Sequence, residues 1–237
     1  GTSRNGAYGD SVHELDWSTG RILDAVDEAG IAERTLVIFM SDNGAVRKHG
    51  GSNAPLAGWG YSTDEGGMRV PCLMRWTGTM PERTVCDRLT TAMDFLPTFT
   101  SLAGVPAATD RKIDGHDASE LLRRPDEVES PYTRFFYYQM EQLQAVRSEE
   151  WKLCLALDDK INHGRKSLGP VPTRLFDVVQ DPGEQRDLSG SHPDVVRRLA
   201  GLAQEARRTL GDTGIPGAEQ RAPGEVADPT PRVMAGS

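Results

Sequence analysis

Hydrophobic residues near the start of the chain recur at two different spacings. Between positions 11 and 29 apolar side chains return every three or four residues, and Gly30 follows, where a helix end favours a left-handed residue. Residues 36–40 are instead apolar at every position, which is typical of a strand covered on both faces. A helix followed by a buried strand is half of a doubly wound unit. The pattern therefore predicts an α/β sheet at the amino end.

The next part of the chain alternates between irregular and ordered segments. Residues 44–67 are rich in Gly, Ser and Asn and show almost no periodic hydrophobicity. Loops of this length in compact domains are usually functional or disordered. A strand is predicted over residues 70–76. A helix is predicted over residues 94–103, with Asp94 as its cap and Gly104 as its end.

Beyond Gly115 the pattern changes to short β-rich runs, which predict a small antiparallel sheet. A final helix opens at His192-Pro193 and carries one apolar stripe, predicted to cover a face of that sheet. The predicted strands occupy residues 134–140, 143–147, 151–157 and 174–179. We therefore divide the chain into an α/β part (residues 1–125), a sheet-and-helix domain (126–211) and a flexible tail (212–237).

The sequence Ser41-Asp42-Asn43-Gly44 follows the first predicted strand directly. Ligands of open α/β sheets bind just beyond the carboxyl ends of the strands. A carboxylate and a carboxamide offer the oxygen atoms that Ca²⁺ and Mg²⁺ prefer. The same residues are also ordinary turn formers. The segment is thus either a plain turn or part of a metal site.

Composition narrows the classes of function. The formal net charge of −8 argues against a nucleic-acid surface, which needs clustered cations. No apolar run approaches the roughly 20 residues that a membrane span requires. The three cysteines, Cys72, Cys86 and Cys154, are odd in number and widely spaced, so neither a zinc knuckle nor a closed disulfide framework is indicated. We expect each to be a small buried or half-buried residue.

Three blocks, taken in order, resemble the later half of the catalytic domain of an arylsulfatase, a member of the formylglycine-dependent sulfatase family. They are the helix containing Glu14-Leu15-Asp16, the segment Ser41-Asp42-Asn43-Gly44, and Glu65-Gly66-Gly67. Further on, Gln144-Ala145-Val146-Arg147 and Trp151-Lys152-Leu153 resemble parts of the family's carboxyl-terminal unit. The resemblance implies an alkaline-phosphatase-like doubly wound sheet followed by a small antiparallel sheet with a helix.

The resemblance also implies a chemistry. Asp42 and Asn43 match the family's second pair of calcium ligands, so the expected cofactor is Ca²⁺. The implied function is hydrolysis of a sulfuric ester, with a sulfated small molecule or carbohydrate as substrate. The family's nucleophile comes from a Cys-x-Pro-x-Arg or Ser-x-Pro-x-Arg signature, and none of the three cysteines lies in such a context. The formylglycine therefore lies outside this chain, and we expect the chain alone to be an inactive fragment.

A second departure from the family concerns positive charge. Many sulfatases place a sulfate-contacting lysine five residues before the Glu-Gly-Gly block, and this chain has Gly60 there. Arg47, Lys48 and His49 lie in the same loop and are candidate substrate-binding residues that would compensate. The alternative is that they belong to a solvated loop.

Two other functions remain open at this point. One is a phosphoester or phosphonate hydrolase of the same superfamily, although such enzymes generally prefer Zn²⁺ or Mn²⁺ and recruit more His ligands. The other is a non-catalytic binding protein that keeps the sulfatase fold. The absence of a sulfate-contacting lysine at position 60 favours the non-catalytic binding protein.

Overall fold

The computed structural model describes residues 1–222 and 224–229. The amino-terminal part begins with helix α1 (Gly6–Glu28) and a 3₁₀ turn (Ala32–Arg34) that leads into strand β1 (Val37–Met40). Strand β2 (Cys72–Arg75) pairs antiparallel with β1, with Val37 opposite Arg75 and Met40 opposite Cys72. The helix and both strands were predicted from the sequence.

The burial predicted for the first strand is wrong within the described residues. β1 pairs with β2 alone in a two-stranded sheet. Phe39 of β1 is exposed, and Leu73 of β2 is 62% exposed. The apolar positions Val12, Leu15 and Ile22 of α1 are exposed as well. The physical reason is that no second layer from the described part of the chain covers these side chains.

The loop after β1 is irregular but well connected. A 3₁₀ turn (Arg47–His49) and the short helix α2 (Glu65–Met68) are its regular elements. Asn53 ties its two sides together. The Asn53 amide accepts from the Ala45 N–H (2.7 Å) and donates to the carbonyl oxygens of Ala45 (3.0 Å) and Gly58 (3.2 Å).

Helix α3 (Phe95–Leu102) follows a 3₁₀ turn (Ala92–Asp94) and ends before Gly104, whose φ is +67°. Asp94 is the N-cap of α3, as predicted, although its side chain makes no cap hydrogen bond to that helix. Thr91 is the N-cap of the 3₁₀ turn, and Asp94 is its reciprocal partner in a capping box. Asp94 is buried and also accepts hydrogen bonds from the Tyr132 hydroxyl and the His116 N–H. Helix α4 (Ser119–Arg123) completes this part.

The carboxyl-terminal part is an antiparallel sheet covered by a helix. Its strands are β3 (Phe135–Gln139), β4 (Gln142–Ser148), β5 (Trp151–Cys154) and β6 (Arg174–Asp177), hydrogen-bonded in chain order. Helix α5 (Pro193–Thr209) has His192 as N-cap and Pro193 in its first turn. Its buried residues pack with the sheet into one core of Leu143, Val146, Leu153, Leu155, Leu175, Leu199, Ala203 and Ala206. The small sheet and the helix were predicted correctly.

The start of the segment expected to be a flexible tail forms a hairpin of β7 (Gly211–Asp212) and β8 (Ile215–Pro216). Asp212 anchors it, because its carboxylate accepts from Leu143 N–H (3.1 Å) and from Arg207 (2.8 Å). Position 223 and positions 230–237 of the predicted tail lie outside the described residues. The boundaries at 125 and 211 remain predictions.

The cysteines differ in environment. Cys72 and Cys86 are exposed, contrary to expectation, and Cys154 is half-buried. Burial raises the pKa of the Cys154 thiol to about 11.

No helix among the described residues is long and apolar enough to cross a membrane.

Candidate functional site

Asp42 and Asn43 lie at the carboxyl end of β1, where the strand turns sharply. The turn is held by two hydrogen bonds of Ser41: its N–H donates to the Pro71 carbonyl (3.1 Å), and its hydroxyl donates to the Asn43 carbonyl (2.8 Å). The Asp42 side chain is exposed, and Asn43 is half-buried. In the described part of the chain, neither side-chain oxygen accepts a hydrogen bond. Both are therefore free to bind a ligand.

The turn that follows is packed backbone to backbone against two other segments. Gly44 N–H donates to the Gly67 carbonyl (3.2 Å), and a Cβ on Gly44 would lie 1.8 Å from the Gly66 oxygen. On the other side, Gly60 N–H donates to the Ala45 carbonyl (2.9 Å). A Cβ on Gly60 would lie 2.1 Å from the Gly44 oxygen and 3.1 Å from Asn43 Oδ1. Only glycine fits at these contacts.

The donor set fits part of a site for a hard divalent cation. Asp42 and Asn43 offer oxygen atoms only, whereas Ca²⁺ takes about six to eight oxygen ligands. Among residues 1–222 and 224–229, no group of three or more His, Cys, Asp or Glu side chains is placed to hold a metal. The two residues thus fit part of a site for such a cation, and the remaining ligands must come from other groups.

A buried ion cluster holds the segment on which the turn packs. Lys152 of β5 is fully buried, and its ammonium group donates to Glu65 Oε1 (3.1 Å), to Glu184 Oε1 (2.7 Å) and to the Thr63 carbonyl (2.8 Å). Glu65, the first residue of α2, is fully buried as well, and its N–H donates to Glu184 Oε1 (2.9 Å). We call Glu65, Lys152 and Glu184 the ion cluster.

The Lys152 ammonium group is held charged by its surroundings. Burial works against a charge on Lys152, but the neighbouring Glu65 and Glu184 carboxylates outweigh it and raise the pKa of the ammonium group. The Tyr137 hydroxyl donates to Glu65 Oε1 (3.0 Å), and burial raises the pKa of that phenol. Glu65 Oε2 accepts no hydrogen bond from the described residues, yet Arg147 lies 3.6 Å from it. Arg69 lies 3.8 Å from the same oxygen, so two arginines balance the second carboxylate oxygen.

These contacts connect the candidate metal turn to the carboxyl-terminal sheet. The turn at Gly44 rests on Gly66 and Gly67, which directly follow Glu65 of the ion cluster. A further hydrogen bond joins Ala57 N–H to the Pro182 carbonyl (3.0 Å). The position of Asn43 is thus determined by residues that are far away in sequence.

The three candidate substrate-binding residues occupy one exposed turn. Arg47, Lys48 and His49 form the 3₁₀ turn that ends at Gly50, whose φ is +88°. In the described part of the chain none of them takes part in an ion pair. The geometry leaves their charges in solvent, in the same loop as the candidate metal ligands.

The sequence interpretation missed the ion cluster and one aromatic contact. Trp151-Lys152-Leu153 and Glu65 were noted only as parts of family blocks. An apolar-lysine-apolar order in a strand normally indicates a lysine that faces solvent, so this pattern gave no signal of the cluster. Sequence alone left Tyr61 open between stacking on a sugar or aryl ring and anchoring its own loop, and His163 was considered as lining a substrate entrance. The structure stacks the two rings on each other, with centroids 4.7 Å apart and planes 27° apart.

With this geometry established, comparison with known proteins gives the class. Residues 3–105 match the Sulfatase family, and residues 130–221 match the C-terminal region of aryl-sulfatase. The structure also superposes on the PsFucS1 sulfatase from Pseudoalteromonas sp. with a TM-score of 0.71 and 23% identity, covering 83% of this chain and 41% of that chain. The predicted fold class, an alkaline-phosphatase-like α/β protein, is confirmed.

Curated relatives give the family. The chain is 38% identical to mouse (Mus musculus) steryl-sulfatase over 241 residues, covering 89% of this chain and 38% of the relative. It is 33% identical to dog (Canis lupus familiaris) N-acetylgalactosamine-6-sulfatase over 247 residues, covering 93% of this chain and 46% of the relative. The chain belongs to the sulfatase family, whose members generally bind a divalent metal. It spans less than half the length of these two relatives.

Proposed function

We propose that this protein acts in sulfuric ester hydrolysis, with Asp42 and Asn43 as two ligands of a calcium ion and the formylglycine nucleophile supplied from outside this chain. One observation carries the proposal. The Asp42-Asn43 turn at the end of β1 is seated on Glu65-Gly66-Gly67, so two blocks that resemble the family in sequence also meet in space.

The residues of this chain would have distinct roles. Asp42 would neutralise part of the ion's charge, and Asn43 would add a neutral oxygen, which leaves the site cationic enough for an anionic ester. Calcium bound there supplies Lewis-acid polarisation and a template for the sulfate oxygens. Gly44 and Gly60 keep the turn in place, and the ion cluster holds the Glu65-Gly66-Gly67 segment on which the turn packs.

The metal assignment predicts calcium-dependent stability. A ligand that binds only the folded protein stabilises it, by about 2.7 kcal/mol at a concentration 100 times its Kd. We expect thermal melts of the complete gene product to shift upward with Ca²⁺ and not to shift in Asp42→Ala. Asp16→Ala, which removes an exposed carboxylate from α1, is the matched control and should keep the shift. An equal Ca²⁺ shift in Asp42→Ala would refute the assignment.

The reaction itself is tested with one leaving group and two esters. The complete gene product should hydrolyse 4-nitrophenyl sulfate with Ca²⁺ faster than it hydrolyses 4-nitrophenyl phosphate. Preference for the phosphate would favour the related phosphoester hydrolase. Binding of the sulfate ester without turnover of either compound would favour a non-catalytic protein. Reading the coding sequence before Gly1 for the Cys-x-Pro-x-Arg or Ser-x-Pro-x-Arg signature is an independent check.

The exposed cations predict a modest, salt-dependent contribution to substrate binding. Surface charge pairs contribute about 0.2–1 kcal/mol. We therefore expect the double variant Arg47→Ala/Lys48→Ala to raise KM for the sulfate ester by up to about fivefold, with the effect shrinking as salt screens it. The control is Arg197→Ala/Arg208→Ala, which removes two exposed cations from α5. Unchanged KM in the first variant would mean that these residues form a plain solvated turn.

A further inference from the structure

Next to the candidate metal turn lies an exposed pair of stacked rings that the proposed chemistry does not use. Tyr61 immediately follows Gly60, whose Cβ position would lie 3.1 Å from Asn43 Oδ1. Consecutive Cα atoms are about 3.8 Å apart, so the backbone of Tyr61 is one residue step from the contact with Asn43. Tyr61 is nevertheless 50% exposed. The backbone of Tyr61 thus lies beside the candidate metal turn, while its large aromatic side chain remains exposed to solvent.

The second ring comes from the carboxyl-terminal part. His163 lies in the loop between β5 and β6, and its exposed imidazole stacks on Tyr61 with centroids 4.7 Å apart. Asn162 supports this loop, because its side chain accepts from Gly164 N–H and Lys166 N–H, each at 3.0 Å. The pair therefore joins the loop that follows β1 to the loop between β5 and β6.

One buried side chain holds the backbones of both Tyr61 and His163. Gln139 of β3 is 8% exposed. With its amide oriented to satisfy both atoms, Gln139 donates to the Tyr61 carbonyl (2.9 Å) and accepts from His163 N–H (3.3 Å). Tyr61 also adopts a φ of +68°, which is unfavourable for a non-glycine residue. The buried Gln139 side chain and the unfavourable backbone conformation of Tyr61 thus hold the two exposed rings in one arrangement. A plain solvated loop would not require these constraints.

We propose that Tyr61 and His163 bind the sugar ring of a sulfated carbohydrate whose sulfate group is held at the candidate metal site. The inference rests on the proposed function and names its substrate class. The pair offers an aromatic surface together with two polar tips. In the described part of the chain, the Tyr61 hydroxyl and the His163 imidazole make no hydrogen bond. A pyranose presents C–H groups and hydroxyls together, and so matches this pair better than a purely apolar alcohol does.

The test distinguishes binding of the sugar ring from binding of the anionic group. Sulfoquinovose, a hexose with a non-hydrolysable C–S bond, is titrated by calorimetry into the complete gene product with Ca²⁺, and methanesulfonate serves as the anion without a ring. Tyr61→Ala keeps the Cβ, so the positive φ at position 61 stays unfavourable in the variant as well. Tyr61→Phe keeps the stack and removes only the hydroxyl. His192→Ala, which removes a histidine packed on Trp151, is the matched control.

We expect the wild type to bind sulfoquinovose more tightly than methanesulfonate. Tyr61→Ala and His163→Ala should each weaken sulfoquinovose binding by about threefold to tenfold, the scale of one aromatic contact, and leave methanesulfonate unchanged. Tyr61→Phe should lose less affinity for sulfoquinovose than Tyr61→Ala does. The proposal is overturned if the wild type shows no advantage for the ring, if both variants bind sulfoquinovose like wild type, or if methanesulfonate binding falls in parallel.

Failure of the proposed function would look different. A wild type that binds sulfoquinovose through Tyr61 and His163 but hydrolyses no sulfate ester would refute the enzymatic function while supporting the binding site. A wild type that hydrolyses 4-nitrophenyl sulfate but shows no effect of the two alanine variants on sulfoquinovose would do the reverse.

Discussion

Replacing Lys152 with methionine is expected to destabilise the protein by about 3–5 kcal/mol, the cost of removing one partner from a buried ion pair. Methionine preserves most of the length and apolar volume of the lysine but leaves two acidic side chains, Glu65 and Glu184, facing each other. The Thr63 carbonyl would also lose its donor. Urea denaturation followed by tryptophan fluorescence measures the loss as a lower midpoint.

The control for this prediction is Lys166→Met, which removes an exposed lysine from the loop that carries His163. Surface substitutions of this kind usually change stability by less than about 0.5 kcal/mol. Because Glu65 of the ion cluster directly precedes Gly66 and Gly67, on which the Asp42-Asn43 turn packs, Lys152→Met should also reduce the stabilisation by Ca²⁺. Equal midpoints for Lys152→Met and Lys166→Met would show that the cluster contributes little to the fold.

The elements that sequence alone predicted well are those whose signals are local. Helix α5 combines Pro193 in its first turn with a continuous apolar stripe, and the four short strands are bounded by polar turns. The hairpin at residues 211–216 was missed, although Gly214, at a φ of +71°, is the turn residue that such a hairpin needs. The high Gly and Pro content around it obscured that signal.

The ion cluster could not be predicted, for a physical reason. Lys152 lies 87 positions from Glu65, and Glu184 lies 119 positions from it. Charged residues are almost never fully buried unless they are paired, so the sequence favours exposure for each of them until the partners are known. The same limit applies to β1, because an apolar run does not specify that its partner is β2 or that the pairing is antiparallel. Asp42 and Asn43 could be proposed as metal ligands because strand and turn are adjacent in sequence.

Replacing Gly60 with alanine is expected to abolish the stabilisation by Ca²⁺ and to destabilise the fold by about 1–3 kcal/mol, the usual cost of overpacking. The new methyl group would lie 2.1 Å from the Gly44 oxygen, so one of the two backbones has to move. Moving Gly44 displaces Asn43, whose side-chain oxygen lies 3.1 Å from the same Cβ position. Thermal melts with and without Ca²⁺ measure both effects.

Gly20→Ala is the matched control, because a Cβ there meets nothing within 4 Å and the residue lies inside helix α1. That variant should be more stable than wild type by up to about 1 kcal/mol and keep its response to Ca²⁺. A normal Ca²⁺ shift in Gly60→Ala would mean that the turn tolerates the added atom. Since a lysine begins with the same Cβ, Gly60→Lys should fail in the same way. The missing sulfate-contacting lysine is then a consequence of the close backbone packing between Gly60 and Gly44, and any compensating contact to the substrate has to come from other residues of the site.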